Sequence, residues 1–191
     1  MDTINVQKRD PGLKANHVRK AGFVPCSVYG GALEHAISIQ MAQQDANNLL
    51  LHNGDGSKVQ LKLDGEVLTT QIKEATRNFN NRNVEHISFQ ALKAGQPVNS
   101  VVHIHLANAE NCPGIVEHMT YEVAYTALPR NMIESVTVDL AGKGIGTVIT
   151  LADIPELNTG KITMHLPSDS IVLRIMEART APVEEETEAA E

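Results

Sequence analysis

Apolar and polar positions alternate along most of this chain, in short segments separated by turn signals. Over residues 3–9, Ile4 and Val6 point one way, as on a half-buried strand. Phe23–Tyr29 and residues 36–41 read as further strands, and the Gly30-Gly31 pair between them can supply positive φ. Gln43–His52 reads as a helix that stops at Asn53-Gly54. Residues 59–63 and 66–72 flank Asp64-Gly65, the strongest hairpin signal in the sequence. Val84–Ala91 completes the first set. Gly95 and Pro97 then break the pattern, which predicts a boundary at residues 93–97. Strand-like segments resume at 98–106, 115–127, 135–139, 147–151 and 170–178, with no strong helical period among them. The last dozen residues are acidic and lack apolar periodicity, and read as a disordered tail.

Composition narrows this picture. With no Trp, three Tyr and three Phe, the core must be built mostly from Val, Ile and Leu, which favours β-structure. No apolar run has the length of a membrane span, and MDTINVQKRD lacks the apolar stretch of a signal peptide, so a cytoplasmic chain is expected. Cys26 and Cys112 are far apart and without metal-ligand spacing, which predicts two reduced thiols.

The net charge of -7 hides an asymmetry. Residues 1–91 carry ten Lys/Arg against nine Asp/Glu, whereas residues 92–191 carry six against fourteen. A surface for a polyanion therefore belongs to the first half. Lys8, Arg9, Lys14, Arg19 and Lys20 form a local basic patch against only Asp2 and Asp10 within residues 1–30.

Residues 12–31, GLKANHVRKAGFVPCSVYGG, are the most informative stretch. A short helix between Leu13 and Ala21 puts Ala15, Val18 and Ala21 on one side and Asn16, Arg19 and Lys20 on the other, with Lys14 and His17 on the flanks. The apolar stripe can dock on a sheet while the basic stripe faces out. Cations on a rigid element suit RNA phosphates, because each neutralised phosphate releases counterion. Arg can also bond phosphate or base edges bidentately. A solvated basic helix with no partner satisfies the same spacing.

Gly22, Val24, Pro25, Val28, Tyr29 and Gly30 match a family signature of a short Arg-rich helix followed by Gly-x-Val-Pro-Ala-x-x-Tyr-Gly. Ile72-Lys73-Glu74 followed by His86-Ile87-Ser88-Phe89 matches a second motif. Pro129, Ile133, Val138-Asp139-Leu140, Ile145-Gly146 and Leu151-Ala152-Asp153-Ile154 match a third, in the second half. In this order the chain resembles the bacterial 5S-rRNA-binding family that includes large-subunit ribosomal protein number twenty-five and the general stress protein Ctc, in its long two-domain form. The resemblance implies a mainly β protein: a small closed N-terminal β-barrel with short helices (1–92), a mostly β C-terminal domain (97–179) and the acidic tail (180–191). It implies binding of 5S rRNA, at the loop E region of the large ribosomal subunit's central protuberance. Contacts from the C-terminal domain to neighbouring ribosomal proteins, and a monomer off the ribosome, complete the expectation. The family's binding face maps onto Lys8, Arg9, Lys14, Asn16, His17, Arg19, Lys20, Tyr29, Lys73, Arg77 and His86.

The chain departs from the family where relatives carry consecutive Arg, at Asn16 and His17, and where Thr76, Phe79 and Ser88 replace Gln, Pro and Asp. Two missing cations weaken RNA binding and flatten its salt dependence by about 0.7 to 0.9 log units for each phosphate left unmatched. They leave a second function open, that of a diverged stress-linked paralogue acting as a protein-interaction module with weak or no rRNA binding.

Individual side chains also have plainer roles open to them. Tyr29 can pack on the barrel with a wet hydroxyl, and His86 can be a structural strand histidine. Lys73 and Arg77 have the spacing to project from one sheet face. His103 and His105 alternate on one strand with His118 as a possible third partner, but no carboxylate or thiolate completes a metal site. Residues 143–146 read as a β-turn without a phosphate-loop pattern. No nucleophile–base spacing is present, so no enzyme activity, cofactor or metal is expected.

Overall fold

Six of the alternating segments curl round and pair with one another. In a computed structural model that describes residues 3–10, 12–31 and 33–177, these are β1 (Thr3–Lys8), β2 (Phe23–Tyr29), β3 (Ile37–Ala42), β4 (Lys58–Leu63), β5 (Glu66–Arg77) and β6 (Val84–Ala91). They form a closed barrel in the order β1-β3-β2-β6-β5-β4. Closure depends on β1, which divides its hydrogen bonds along its length. Thr3 to Val6 pair in parallel with Gln60 to Leu63, whereas Gln7 and Lys8 pair antiparallel with Gln40 and Ile39.

The barrel interior is aliphatic, as the scarcity of aromatics requires. Val24, Ile39, Val59, Leu61, Ile72, Ile87 and one ring, Phe89, are fully buried. α2 (Gln43–His52) lies against β2, β3 and β6 and adds Ala46 and Leu49 to this core. Asp64 and Gly65 both take positive φ, 49° and 92°, which is the type I′ geometry that a two-residue hairpin needs.

The second half has two sheets around one core. β7 (Val98–Ala107), β9 (Glu122–Ala127), β10 (Val136–Asp139) and β12 (Ile162–Met164) form one in the order β10-β7-β9-β12. β8 (Ile115–His118), β11 (Val148–Thr150) and β13 (Ile171–Met176) form the other in the order β11-β13-β8. Val102, Val123 and Tyr125 from the first sheet and Val172, Leu173 and Ile175 from the second share this core with Leu151 and Leu157.

Three expectations need correcting. The segment 115–127 is two strands in different sheets, because the chain turns at residues 119–121 and its amides bond across to Val172 O. β5 continues five residues past Ile72, to Arg77. The helix of the basic segment, α1, is only Ala15–Lys20. The acidic tail, residues 180–191, lies outside the described residues.

The two halves meet where the loop after α2 touches β7. Ser100 Oγ donates to Gly56 O at 3.1 Å, and Gln71 Nε2 donates to Asn99 O at 3.0 Å. Lys58 Nζ reaches Pro129 O at 3.3 Å. Gly56 has φ +83°, and a Cβ there would lie 2.1 Å from Val101 O. Both the backbone angle and the space therefore require glycine. Gly56→Ala is expected to cost about 1–2 kcal/mol from the left-handed backbone alone, and more from the clash. Thermal unfolding should show a drop of several degrees. In the second core, the Tyr125 hydroxyl accepts from Ile133 N at 3.0 Å and donates to Ile133 O at 3.2 Å. Tyr125→Phe leaves both backbone groups unpaired and should cost about 1–3 kcal/mol in urea unfolding, with no change in strand content by circular dichroism.

Candidate nucleic-acid interface

The basic segment is pinned by one side chain. Val18, 4% exposed, is the buried residue of α1, and it holds the helix on β2. That leaves the opposite side to Asn16, His17 and Lys20, all exposed, with Lys14 exposed at the start of the helix.

Arg19 does not point simply outward. Its Nε donates to Glu85 O on β6 at 3.1 Å and its Nη1 to Asn16 Oδ1 at 2.9 Å. Two of its five N–H donors thus fix the plane of the guanidinium, and three remain for a partner. Asn16 orients Arg19 instead of adding charge.

His86 lies on β6 beside this guanidinium. Burial pushes its pKa below the ordinary imidazole value, the positive charges of Arg19 and Arg9 push it further, and Glu74 opposes them. It is therefore neutral at pH 7, a hydrogen-bonding group and not a cation. Arg9 follows β1, its backbone N donating to Ser38 O at 3.0 Å. Its Nε is buried without a partner among the described residues. Arg9 and Arg19 are thus both close enough to His86 for their charges to be felt there.

Cross-strand register explains why these groups share a surface. Ser38 pairs with Ser27, Ser27 with Ser88, and Ser88 with Glu74, while Arg9 bonds to Ser38. Val28, Ile39 and Phe89, one step away from Ser27, Ser38 and Ser88, point into the core. The three serines therefore line the outer surface of the barrel, where small side chains leave the sheet flat and polar. Charge alone does not single them out, although the alternation in β2, β3 and β6 already puts them on the polar side.

Other predicted residues lie elsewhere. Lys8 pairs with the buried Ile39 and emerges at the barrel mouth, in a cavity shared with Arg9, Leu63 and Asp64. Tyr29, 37% exposed, ends β2, five residues or roughly 16 Å along the strand from Val24, the level of Arg19. Lys73 and Arg77 do not keep the alternation that was to align them. Register shifts between Ile72 and Glu74 and between Thr76 and Arg77 interrupt it. Lys73 Nζ donates to Asn99 O at 3.3 Å, at the junction with β7, and Arg77 Nη2 to Leu50 O at 3.0 Å, on α2. Each cation reaches a different carbonyl with one donor, and both side chains are exposed.

The remaining chemistry is quiet. Burial pushes the Cys26 thiol up to about 12, so it stays protonated as a small core residue, and Cys112 is also unpaired. His103 and His105 lie on β7 and His118 on β8, in separate sheets. Among the described residues no group of three or more His, Cys, Asp or Glu is placed to hold a metal ion. Among the described residues no helix is long and apolar enough to cross a membrane.

His86 supplies a check on this cluster. Its folded-state pKa lies below the free value of 6.5, so the unfolded chain takes up the proton first. Stability contributed by neutral His86 is complete above that value and is lost as pH falls through the folded one. Urea unfolding at pH 7.5 and 5.5 should show a smaller pH-dependent loss in His86→Gln than in the wild type; equal losses would count against the cluster.

Comparison with known proteins agrees with this architecture. The Ribosomal L25p family matches residues 4–89, and the C-terminal domain of ribosomal protein TL5 matches residues 97–179. A "Large ribosomal subunit protein bL25" of Enterococcus faecalis is 28% identical over 184 residues, covering 95% of this chain and 90% of that protein. One from Xanthomonas oryzae pv. oryzae is 32% identical over 177 residues, covering 83% and 82%. One from Endomicrobium trichonymphae is 26% identical over 192 residues, covering 97% and 79%. With both halves matched in order on a barrel followed by a second β unit, the chain belongs to the bL25 family of large-subunit ribosomal proteins, in its long, Ctc-type form.

Proposed function

We propose that the N-terminal barrel binds 5S rRNA at its loop E region, on the surface that carries α1 and the serine row. The observation that supports this reading best is the pair of guanidiniums, Arg9 and Arg19, held close to a neutral His86 on a flat polar sheet. Phosphates meet Arg9 and Arg19, with Lys14, His17 and Lys20 exposed on the adjoining helix. Neutral His86 and the serine hydroxyls suit 2′-hydroxyls and base edges of a shallow minor groove, the accessible face of an A-form helix. Asn16 holds Arg19 in place. Lys8, Tyr29, Lys73 and Arg77 belong to this face by resemblance; Lys73 and Arg77 each spend one donor on a carbonyl and, being exposed, keep the others for a partner. The protein acts in the cytoplasm, as a monomer when off the ribosome, and needs no cofactor. Its role is structural, as is that of its family, which is not a class of enzymes.

Only a few cations remain on the face, so affinity should be modest and its salt slope shallow. A gel-shift titration with a loop E fragment at 50 and 200 mM salt measures both. Lys14→Ala with Lys20→Ala removes exposed charge without touching the fold. It is expected to weaken binding about tenfold and to reduce the salt slope by about 0.7 to 0.9 for each phosphate no longer neutralised. Arg19→Ala should weaken it further, because the Glu85 bond goes too. Unchanged affinity in all these variants would remove the assigned face, and the absence of salt-dependent binding by the wild type would favour the other role, a protein-interaction module with weak or no rRNA binding.

A further inference from the structure

The outer face of the three-stranded sheet is apolar and uncovered among the described residues. On β8, β11 and β13 the outward apolar positions are Ile115, Val148 and Met176, 54%, 49% and 40% exposed, on the same face as Glu117 and Arg174. Ile115 stands opposite Met176 across the β8–β13 pair, and Val148 opposite Arg174 across β11–β13. Arg174 is already engaged in an ion pair with Glu117 in the middle of the face. Three large apolar side chains flanking one neutralised pair on a single sheet face mark a contact surface, whereas scattered ones would not.

The charge around the face selects its occupant. Residues 97–177 carry four Lys/Arg and nine Asp/Glu, and residues 178–191, which continue from the end of β13, add five Glu against one Arg. RNA phosphates and a second copy of this chain are both repelled by that charge. The chain's own terminal residues share its sign and offer one Val as their only large apolar side chain. We propose that this face docks a basic surface of another large-subunit protein, one that presents apolar side chains flanked by Lys and Arg, with the acidic terminus steering the approach. This deepens the ribosomal reading and rests on it, but it uses none of the groups on the barrel face.

The test uses the full chain with benzoylphenylalanine in place of Val148, added to large subunits that lack the endogenous copy and then irradiated. The expected product is a crosslink to a large-subunit protein, mapped by mass spectrometry to a Lys/Arg-rich segment. Ile115→Asp with Met176→Asp should cut its yield by about tenfold, the effect of losing roughly 1.4 kcal/mol of docking energy, while cosedimentation with the subunit and thermal unfolding are unchanged. Removing residues 178–191 should lower the yield at low salt and leave it unaltered at high salt. Crosslinks only to rRNA, to a second copy, to residues 178–191 or to a segment without Lys/Arg would overturn the proposal, as would a yield indifferent to the double substitution. If cosedimentation holds in such a case, the barrel's role stands and only this face is refuted; if the wild-type chain fails to cosediment, both readings fall.

Discussion

β1 is the strand on which the barrel depends. Its first four residues hydrogen-bond to β4 and its last two to β3. A six-stranded sheet that stopped short of this would expose two edges of unpaired N–H and C=O groups. Closure also fixes where β1 ends, and therefore where Arg9 begins. The Arg9 backbone bond to Ser38 continues the β1–β3 ladder by one residue, and it places the guanidinium on the outer surface level with the serine row. The proposed RNA face is thus a consequence of barrel closure as much as of basic composition.

The second constraint is the junction between the halves. Gln71 is fully buried on β5, and its amide donates both to Gln90 within the barrel and to Asn99 at the start of β7. Ser100 and Gly56 join the same contact. The two of these bonds that cross between the halves are aimed at backbone carbonyls. They favour one relative arrangement of the halves, because each misaligned group would be left buried without a partner. Lys73, which belongs to the binding face by resemblance, spends one donor at this junction.

The charge of the molecule is divided to match. The barrel keeps a few cations, some of them fixed by hydrogen bonds, while the second half carries the acid. Fixing Arg19 to Glu85 and Asn16 lowers the entropy lost when it meets a ligand, which offsets part of what the missing arginines would have supplied. In the proposed reading the barrel meets RNA, and the apolar sheet face of the acidic half meets protein. One chain therefore presents two surfaces of opposite chemistry.

Much of this was legible in the sequence. Alternation marked nearly every strand, because burial on one face of a pleated sheet forces a period of two. Asp64-Gly65 fixed a hairpin through φ, and Gln43–His52 declared itself a helix up to its last residue. Val18 and the basic residues around it were readable as a two-sided segment. Barrel closure was foreseen only through resemblance, since no local pattern says which strand joins β1 to β3 and β4. The fates of Arg19, Lys73 and Arg77 were not legible either. Arg19 turns to a carbonyl 66 residues away, and Lys73 to one 26 residues away. Two register shifts in β5 then undid the spacing that seemed to align Lys73 with Arg77. The sequence by itself settled where most of the strands run, because that follows from local period and side-chain chemistry. Only the tertiary structure decided which cations are free to meet a partner, because that depends on carbonyls brought near from distant parts of the chain.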